Sequence, residues 1–294
     1  MAVLYPHKDV ENYFVHFDLA TAKPSDLQNV VKLYEAGKVI LLNGVSIEFD
    51  QKFFDTVQFP TGAKVLQKFK SNRFLDEYDS EESSPPSILN SCFNGDGERL
   101  RYFAEQVRSV NQQITKLAER LFPKYRFTND SITWRLTEQL NENLHVDVYR
   151  EDLPHHHLRM FINLDSVHRI WHTSYTLDYM LDHYISLLDP EFIRSATPGR
   201  ICLELNAAVF GGRALAGREG RPKHIGFFEP GEVWLVDSRK VSHQIFYGRK
   251  AVSTEFAVDN ASMDDPSTHY FSVVERHRQR LLSALENEPQ GAQK

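Results

Sequence analysis

The chain of 294 residues carries 34 Lys and Arg against 40 Asp and Glu, a net charge of −6, and 41% of it is hydrophobic. That is ample apolar material for one large core, which excludes disorder over most of the length, and a net negative chain has no positive field to collect phosphates, which excludes dedicated nucleic-acid binding. The two cysteines, Cys92 and Cys202, lack CxxC spacing, which excludes a thiolate zinc site and a disulfide framework, and no stretch of about 18 apolar residues suggests a membrane span.

The opening Met1 to Lys8 meets Pro6 and Lys8 too early for a signal peptide, so the expectation is a cytoplasmic chain. Contact with a membrane surface through an aromatic patch stays open. Residues 1–95 read as an α/β lead-in packed on the core. They hold a strand over Tyr13 to Phe17, a helix with Ser25 as N-cap, and an apolar strand from Lys38 to Leu42 stopped by Asn43-Gly44. The acidic, serine-rich stretch Asp76 to Pro86 reads as a solvated loop. From Gly97 to Phe122, Leu100, Phe103, Val107, Val110, Ile114, Leu117 and Leu121 recur at three- and four-residue steps, which predicts an amphipathic helix stopped by Pro123.

Beyond that helix the texture changes to short strands: 132–136, 144–149, 158–164, 200–205, 233–236 and 252–258. Turn residues Gly211-Gly212, Gly217 to Gly220 and Pro230-Gly231 separate them. Strands without a regular βα alternation predict an α+β chain built on an antiparallel barrel or sandwich. A charged helix over Tyr270 to Glu286 closes a core spanning 96–288, and 289–294 reads as a disordered tail.

The chemistry concentrates in Leu144-His145-Val146-Asp147-Val148. In a strand, alternate residues share a face, so His145 and Asp147 point together while the aliphatic residues point away. Burying that pair is costly unless a partner offsets the desolvation, and a divalent metal is such a partner. A third ligand from a distant strand is supplied by His243, which follows the Pro230-Gly231 turn and an apolar strand. Two histidines and one carboxylate form the facial set of non-haem Fe(II), with positions left open for O2 and a co-substrate. A plain buried His145–Asp147 hydrogen bond is the alternative reading.

His155-His156-His157 reads as an exposed loop, and His168, His172 and His224 as surface or supporting residues. An Fe(II) centre needs an electron source, and 2-oxoglutarate serves by chelation and decarboxylation. Its far carboxylate calls for a bidentate cation. Arg159, in an otherwise apolar strand, ranks first, Arg249 second, and Ser253 offers a hydrogen bond; a bridge from Arg159 to Asp165 or Glu138 is its structural alternative.

These residues resemble the Fe(II)/2-oxoglutarate-dependent dioxygenase superfamily, which implies a double-stranded β-helix, a jelly-roll or cupin-like barrel with flanking helices. Many members carry arginine about ten residues beyond the distal histidine, where this chain has Ser253. More narrowly, LHVDVY, LRMFINLD with RIWHT, and FEPGEVWLVDSRKVSHQIFYG resemble the Kdo 3-hydroxylase family over about residues 130–280. That resemblance implies hydroxylation of the 3-deoxy-octulosonic acid of the lipopolysaccharide inner core by a cytoplasmic protein meeting a lipid-linked sugar at the inner membrane face. For such a substrate the mouth should be cationic, with Arg135, Arg150, Arg169 and Arg239 as candidates. The same iron set also suits a hydroxylase of a free amino acid or peptidyl side chain, and a non-catalytic cupin-like binding protein is the reading from another class.

Overall fold

The structure is a computed structural model and describes residues 2–57, 68–80, 93, 95–136, 143–148, 155–212 and 220–287. The acidic stretch beyond Ser80, together with Cys92, Glu138, Tyr149, Arg150, the turn at Gly217 and the terminal tail, lies outside the described residues.

The first strands are β1 (Val3–Tyr5) and β2 (Phe14–Asp18), followed by helix α1 (Pro24–Glu35) and strand β3 (Val39–Asn43). Helix α1 starts two residues earlier than Ser25 as N-cap would give: Lys23 is the N-cap, Pro24 occupies the first turn, and the Asp26 carboxylate accepts the Lys23 N–H at 2.8 Å. After α2 (Gln51–Thr56), β4 (Phe69–Lys70) and α3 (Ser71–Asp79) comes the long helix α4 (Gly97–Leu121). Asp96 caps it by accepting the N–H groups of Glu98 and Arg99, both at 3.1 Å. Its periodic residues, among them Phe103, Val107, Val110 and Ile114, are buried against the outer face of the large sheet.

The remaining elements are β5 (Phe127–Leu136), β6 (His156–Leu158), β7 (Met160–Asn163), β8 (Arg169–Thr176), α5 (Leu177–Tyr184), α6 (Pro190–Ser195), α7 (Pro198–Phe210), β9 (His224–Phe228), β10 (Val233–Leu235), β11 (Val241–Tyr247), β12 (Lys250–Val258) and α8 (Tyr270–Asn287). The strand expected over 200–205 is the middle of α7. The short run Ile-Cys-Leu-Glu-Leu is apolar but for Glu204 and fits a buried strand as well as a helix, yet Thr197 caps a helix, Pro198 sits at its start and Gly211 ends it at φ +77°. Ile201, Cys202, Leu205 and Val209 then bury at helical spacing. Helices α5 and α6 were not expected from the sequence.

The strands form two sheets, one ordered β1-β9-β8-β11 and one ordered β2-β3-β10-β7-β12-β5-β4, with β6 also on β12. The lead-in joins both, since β1 pairs with β9 and β3 with β10. The central strands β5, β12, β7 and β10 face β11, β8 and β9, and the backbone at His145 extends the smaller sheet through an antiparallel bridge to His243. These two facing antiparallel sheets make the double-stranded β-helix. Phe161, Trp171, Phe228, Trp234 and Ile245 fill the space between them. Helices α5 to α8 pack beside the barrel in a separate apolar cluster that includes Leu144 and Val146. Among the described residues, no helix is long and apolar enough to cross a membrane.

Candidate metal centre

The segment 143–148 is not the full strand expected over 144–149; only His145 makes a ladder contact. Its N–H donates to the His243 carbonyl at 3.2 Å, and the His243 N–H donates back at 2.9 Å. The Asp147 N–H donates to the Ser238 carbonyl at 2.8 Å. Alternation still holds: Leu144 and Val146 bury in the helical cluster, while His145 and Asp147 turn into the barrel.

One ligating atom each from His145, Asp147 and His243 lies within 4.8 Å of the others. The His145 Nδ1–H donates to the Asn143 carbonyl at 2.7 Å, and the His243 Nδ1–H faces the Val241 carbonyl at 3.2 Å. Both tautomers therefore present an Nε2 lone pair to the common point. His145 Nε2 is buried with no hydrogen-bond donor on it and stands 3.5 Å from Asp147 Oδ1. Metal–donor bonds of about 2.0–2.2 Å place neighbouring donors roughly 3 Å apart, so the spacing fits a divalent ion after small adjustment. Ser238 Oγ–H donates to Asp147 Oδ2 at 2.7 Å, which leaves Oδ1 for the metal. Burial alone would push the Asp147 carboxyl up. The neighbouring His145 and His243 rings and the Arg159 guanidinium outweigh it and hold the group well below the usual carboxylate range.

The donors open onto a cavity of about 250 Å³. Phe161, Trp171, Ile245 and Val252 supply apolar wall, and Trp171 stacks on the His243 ring at 5.2 Å between centroids. Four cations, Lys68, Arg135, Arg159 and Arg169, line it against two carboxylates, Asp147 and Glu255.

The expected anchors separate. Arg159 lies in the cavity, 3.2 Å from Glu255 Oε1 and 3.9 Å from Asp147 Oδ2, so among the described residues its bridge runs to Glu255 and not to Asp165. Arg249 does not line the cavity. Its Nε donates to Asp165 Oδ2 at 2.9 Å, its Nη2 to Oδ1 at 2.5 Å and its N–H to Oδ2 at 3.1 Å, a fork that ties the β11–β12 turn to the end of β7. Ser253 faces the cavity.

The arginine that the anchor argument passed over is Arg169, 2% exposed on the cavity wall. Along β8, Thr173 pairs with His243 and Trp171 with Ile245, so Arg169 stands two further alternations from the metal donors, on the same face. Its guanidinium crosses Gly248: a Cβ at that position would lie 2.6 Å from Nη1 and 2.9 Å from Cγ. The sequence signal was present in Arg169-Ile170-Trp171-His172-Thr173, an arginine in phase with two inward residues.

The other histidines also sort. His156 is fully buried in β6, not in an exposed loop, because β6 pairs with β12 and Tyr34 and Tyr125 pack on its ring. His224 is buried under the N-terminal segment, accepting the His7 N–H at 2.9 Å. His172 bonds Gln244 at 2.8 Å. Arg239, expected at the mouth, is instead buried beside Asp237 and over the Tyr270 ring.

Two facing sheets with a two-histidine, one-carboxylate set between them define the class: a double-stranded β-helix with a facial-triad donor set. Solved structures of the Kdo hydroxylase KdoO, a non-heme Fe(II) alphaketoglutarate dependent dioxygenase, share this fold. The complex with succinate and Fe(III) aligns at TM-score 0.68 and 15% identity, covering 96% of this chain and 99% of that one. The complex with alphaketoglutarate and Fe(III) aligns at 0.61 and 16%, covering 93% and 96%. No protein-family model matches the chain, and no curated protein matches it by sequence.

Proposed function

We propose that the chain is an Fe(II)- and 2-oxoglutarate-dependent hydroxylase acting on an acidic sugar of the Kdo type in the lipopolysaccharide inner core. The observation that carries the reading is the convergence of His145, Asp147 and His243 on one point at the head of a cavity whose charged lining is mainly cationic. His145 Nε2, His243 and Asp147 Oδ1 would hold the iron. Bound iron with 2-oxoglutarate and O2 supplies the oxidising power for hydroxylation.

The protein's own residues hold, orient and screen. Phe161, Trp171, Ile245 and Val252 exclude water along the carbon chain of the diacid. Arg169 is our choice of cation for its far carboxylate, and the Ser253 hydroxyl lines the same cavity. Where the superfamily resemblance calls for arginine on β12, this chain has a serine, and the facing sheet brings the Arg169 guanidinium into the cavity wall. Arg159 balances Glu255 and keeps Asp147 ionised. Arg135 and the exposed Lys68 stand where the cavity meets solvent, suited to the carboxylate of an acidic sugar.

A cytoplasmic location with peripheral contact at the inner membrane belongs to the same reading. The test is anaerobic addition of Fe(II) and 2-oxoglutarate, which should give a weak visible charge-transfer band. It is followed by the mass of inner-core lipopolysaccharide from cells with and without the protein, where one added oxygen on the octulosonic acid is expected. A band without that mass change, together with hydroxylation of a free or peptidyl amino acid, would transfer the reading to that substrate. No band would leave a non-catalytic barrel.

A further inference from the structure

The peptide carrying two of the three donors has sheet on only one side. β11 and the turn before it take the backbone of His145 and Asp147, and the residue between them, Val146, points its N–H and C=O the other way. A buried edge of this kind must find partners. It finds a side chain. The Val146 N–H donates to Asn206 Oδ1 at 2.9 Å, and Asn206 Nδ2–H donates to the Val146 carbonyl at 2.9 Å. The carboxamide makes the reciprocal pair that a neighbouring strand would make.

Asn206 is 7% exposed in the second half of α7, among Cys202, Leu205, Val209 and Phe210. An unpaired amide there would be costly, and asparagine is a poor residue for a helix interior. Its reason for being there is the pair with Val146. A second tie runs the other way: Asn143 Nδ2 donates to the carbonyls of Phe210 and Gly212, at 2.5 and 2.6 Å, at the end of the same helix.

We infer that Asn206 is a positioning residue for the metal centre, its carboxamide fixing the backbone at Val146 and with it the angle between His145 and Asp147. The inference rests on the reading that those residues hold a divalent metal. Asn206 touches neither donor side chain, so it acts through the backbone alone.

The test compares Asn206→Leu and Asn206→Asp with Leu205→Ala in the full chain. Leu205→Ala loosens the apolar packing of α7 and leaves the carboxamide pair with Val146 in place. Three quantities are read: Co(II) affinity with its visible d–d spectrum, hydrogen exchange of the Val146 amide in the metal-free protein, and the melting temperature. Loss of supporting hydrogen bonds around metal ligands costs roughly 10- to 100-fold in affinity. Asn206→Leu should show that loss, an altered Co(II) spectrum and faster Val146 exchange. Asn206→Asp keeps the acceptor for the Val146 N–H but has no donor for its carbonyl, so it should retain amide protection and still lose affinity; it also serves if the leucine variant fails to fold. Leu205→Ala should lower the melting temperature with Co(II) affinity within about twofold of wild type. Equal losses of affinity in Leu205→Ala and the Asn206 variants would make Asn206 merely structural and overturn the inference. So would wild-type affinity in both Asn206 variants. Failure of the wild type itself to bind Co(II) would instead remove the metal reading.

Discussion

The protein holds two buried polar clusters that a composition count would not tell apart. One is the cavity set of His145, Asp147, His243, Arg159, Arg169 and Glu255; the other, behind it, joins His156, Asp237, Arg239, Lys240 and Glu35. In the second cluster the charges close on one another. Arg239 meets Asp237, Lys240 Nζ donates to the Glu35 carbonyl, and the Glu35 carboxylate accepts from the Tyr125 hydroxyl and the N–H groups of Asp264 and Asp265. Burial drives His156 well below the ordinary imidazole range, so it is neutral there. In the first cluster the side chains line a cavity of about 250 Å³; buried atoms without a hydrogen bond occur in both, His145 Nε2 in one and His156 Nε2 and Asp237 Oδ2 in the other. A closed cluster holds the fold together, whereas an open one is arranged around something yet to arrive.

The largest effect that tests this contrast comes from the open cluster. His145→Ala, Asp147→Ala and His243→Ala should each abolish Fe(II)-dependent turnover and measurable Co(II) binding with unchanged circular dichroism. Near wild-type affinity in any one of them would remove that residue from the set. The reverse pattern is expected of the closed cluster. Glu35→Ala strands a buried hydroxyl and two backbone N–H groups and should cost about 3 kcal/mol in urea denaturation with Co(II) affinity unchanged. A fall in affinity without loss of stability would merge the two clusters.

Next in size is the co-substrate anchor. A hydrogen-bonded ion pair is worth roughly 1.5–3 kcal/mol, so Arg169→Ala should weaken 2-oxoglutarate binding about 10- to 100-fold, read by titrating the charge-transfer band. Arg249→Ala should leave it unchanged. A greater loss in Arg159→Ala would return the anchor to the strand preceding residue 160.

The smallest effect is on acid stability. Burial alone would raise the Glu255 carboxyl, but Arg159, Lys70 and Thr133 lower it from 4.5 to about 2. Its contribution is therefore complete above pH 4.5 and is lost as pH falls towards about 2. Glu255→Gln should flatten the stability profile in that window; an unchanged slope would show that Glu255 carries no such charge coupling.

Much of this was legible from the residues. The period of α4 stood out because seven apolar positions share one face, and the donor set because two polar residues alternate with aliphatic ones before a distant histidine. The anchor was harder, since local sequence shows that Arg159 and Arg249 sit among strands but not which carboxylate each faces. Arg249 is satisfied by Asp165, 84 positions away. Helix α7 differs from the strand expected there because a short, mostly apolar run fits either period, and only its caps decide. Asn206 gave no signal, because its partner is a backbone amide 60 residues earlier.

The short run Asp237-Ser238-Arg239-Lys240 has a consequence for how the molecule comes apart. Ser238 grips the Asp147 carboxylate and backbone, while its neighbours on either side are planted in the closed charge cluster. On heating, the carboxylate side of the site cannot loosen ahead of the barrel, because the residue that steadies it is rooted in the charge cluster. The side held by α7 hangs from a helical layer with its own core and is free to open first. Partial thermal damage would then leave a pocket of correct shape with His145 out of line beside a still-anchored Asp147, a protein folded by most measures and already unable to hold a metal at that point.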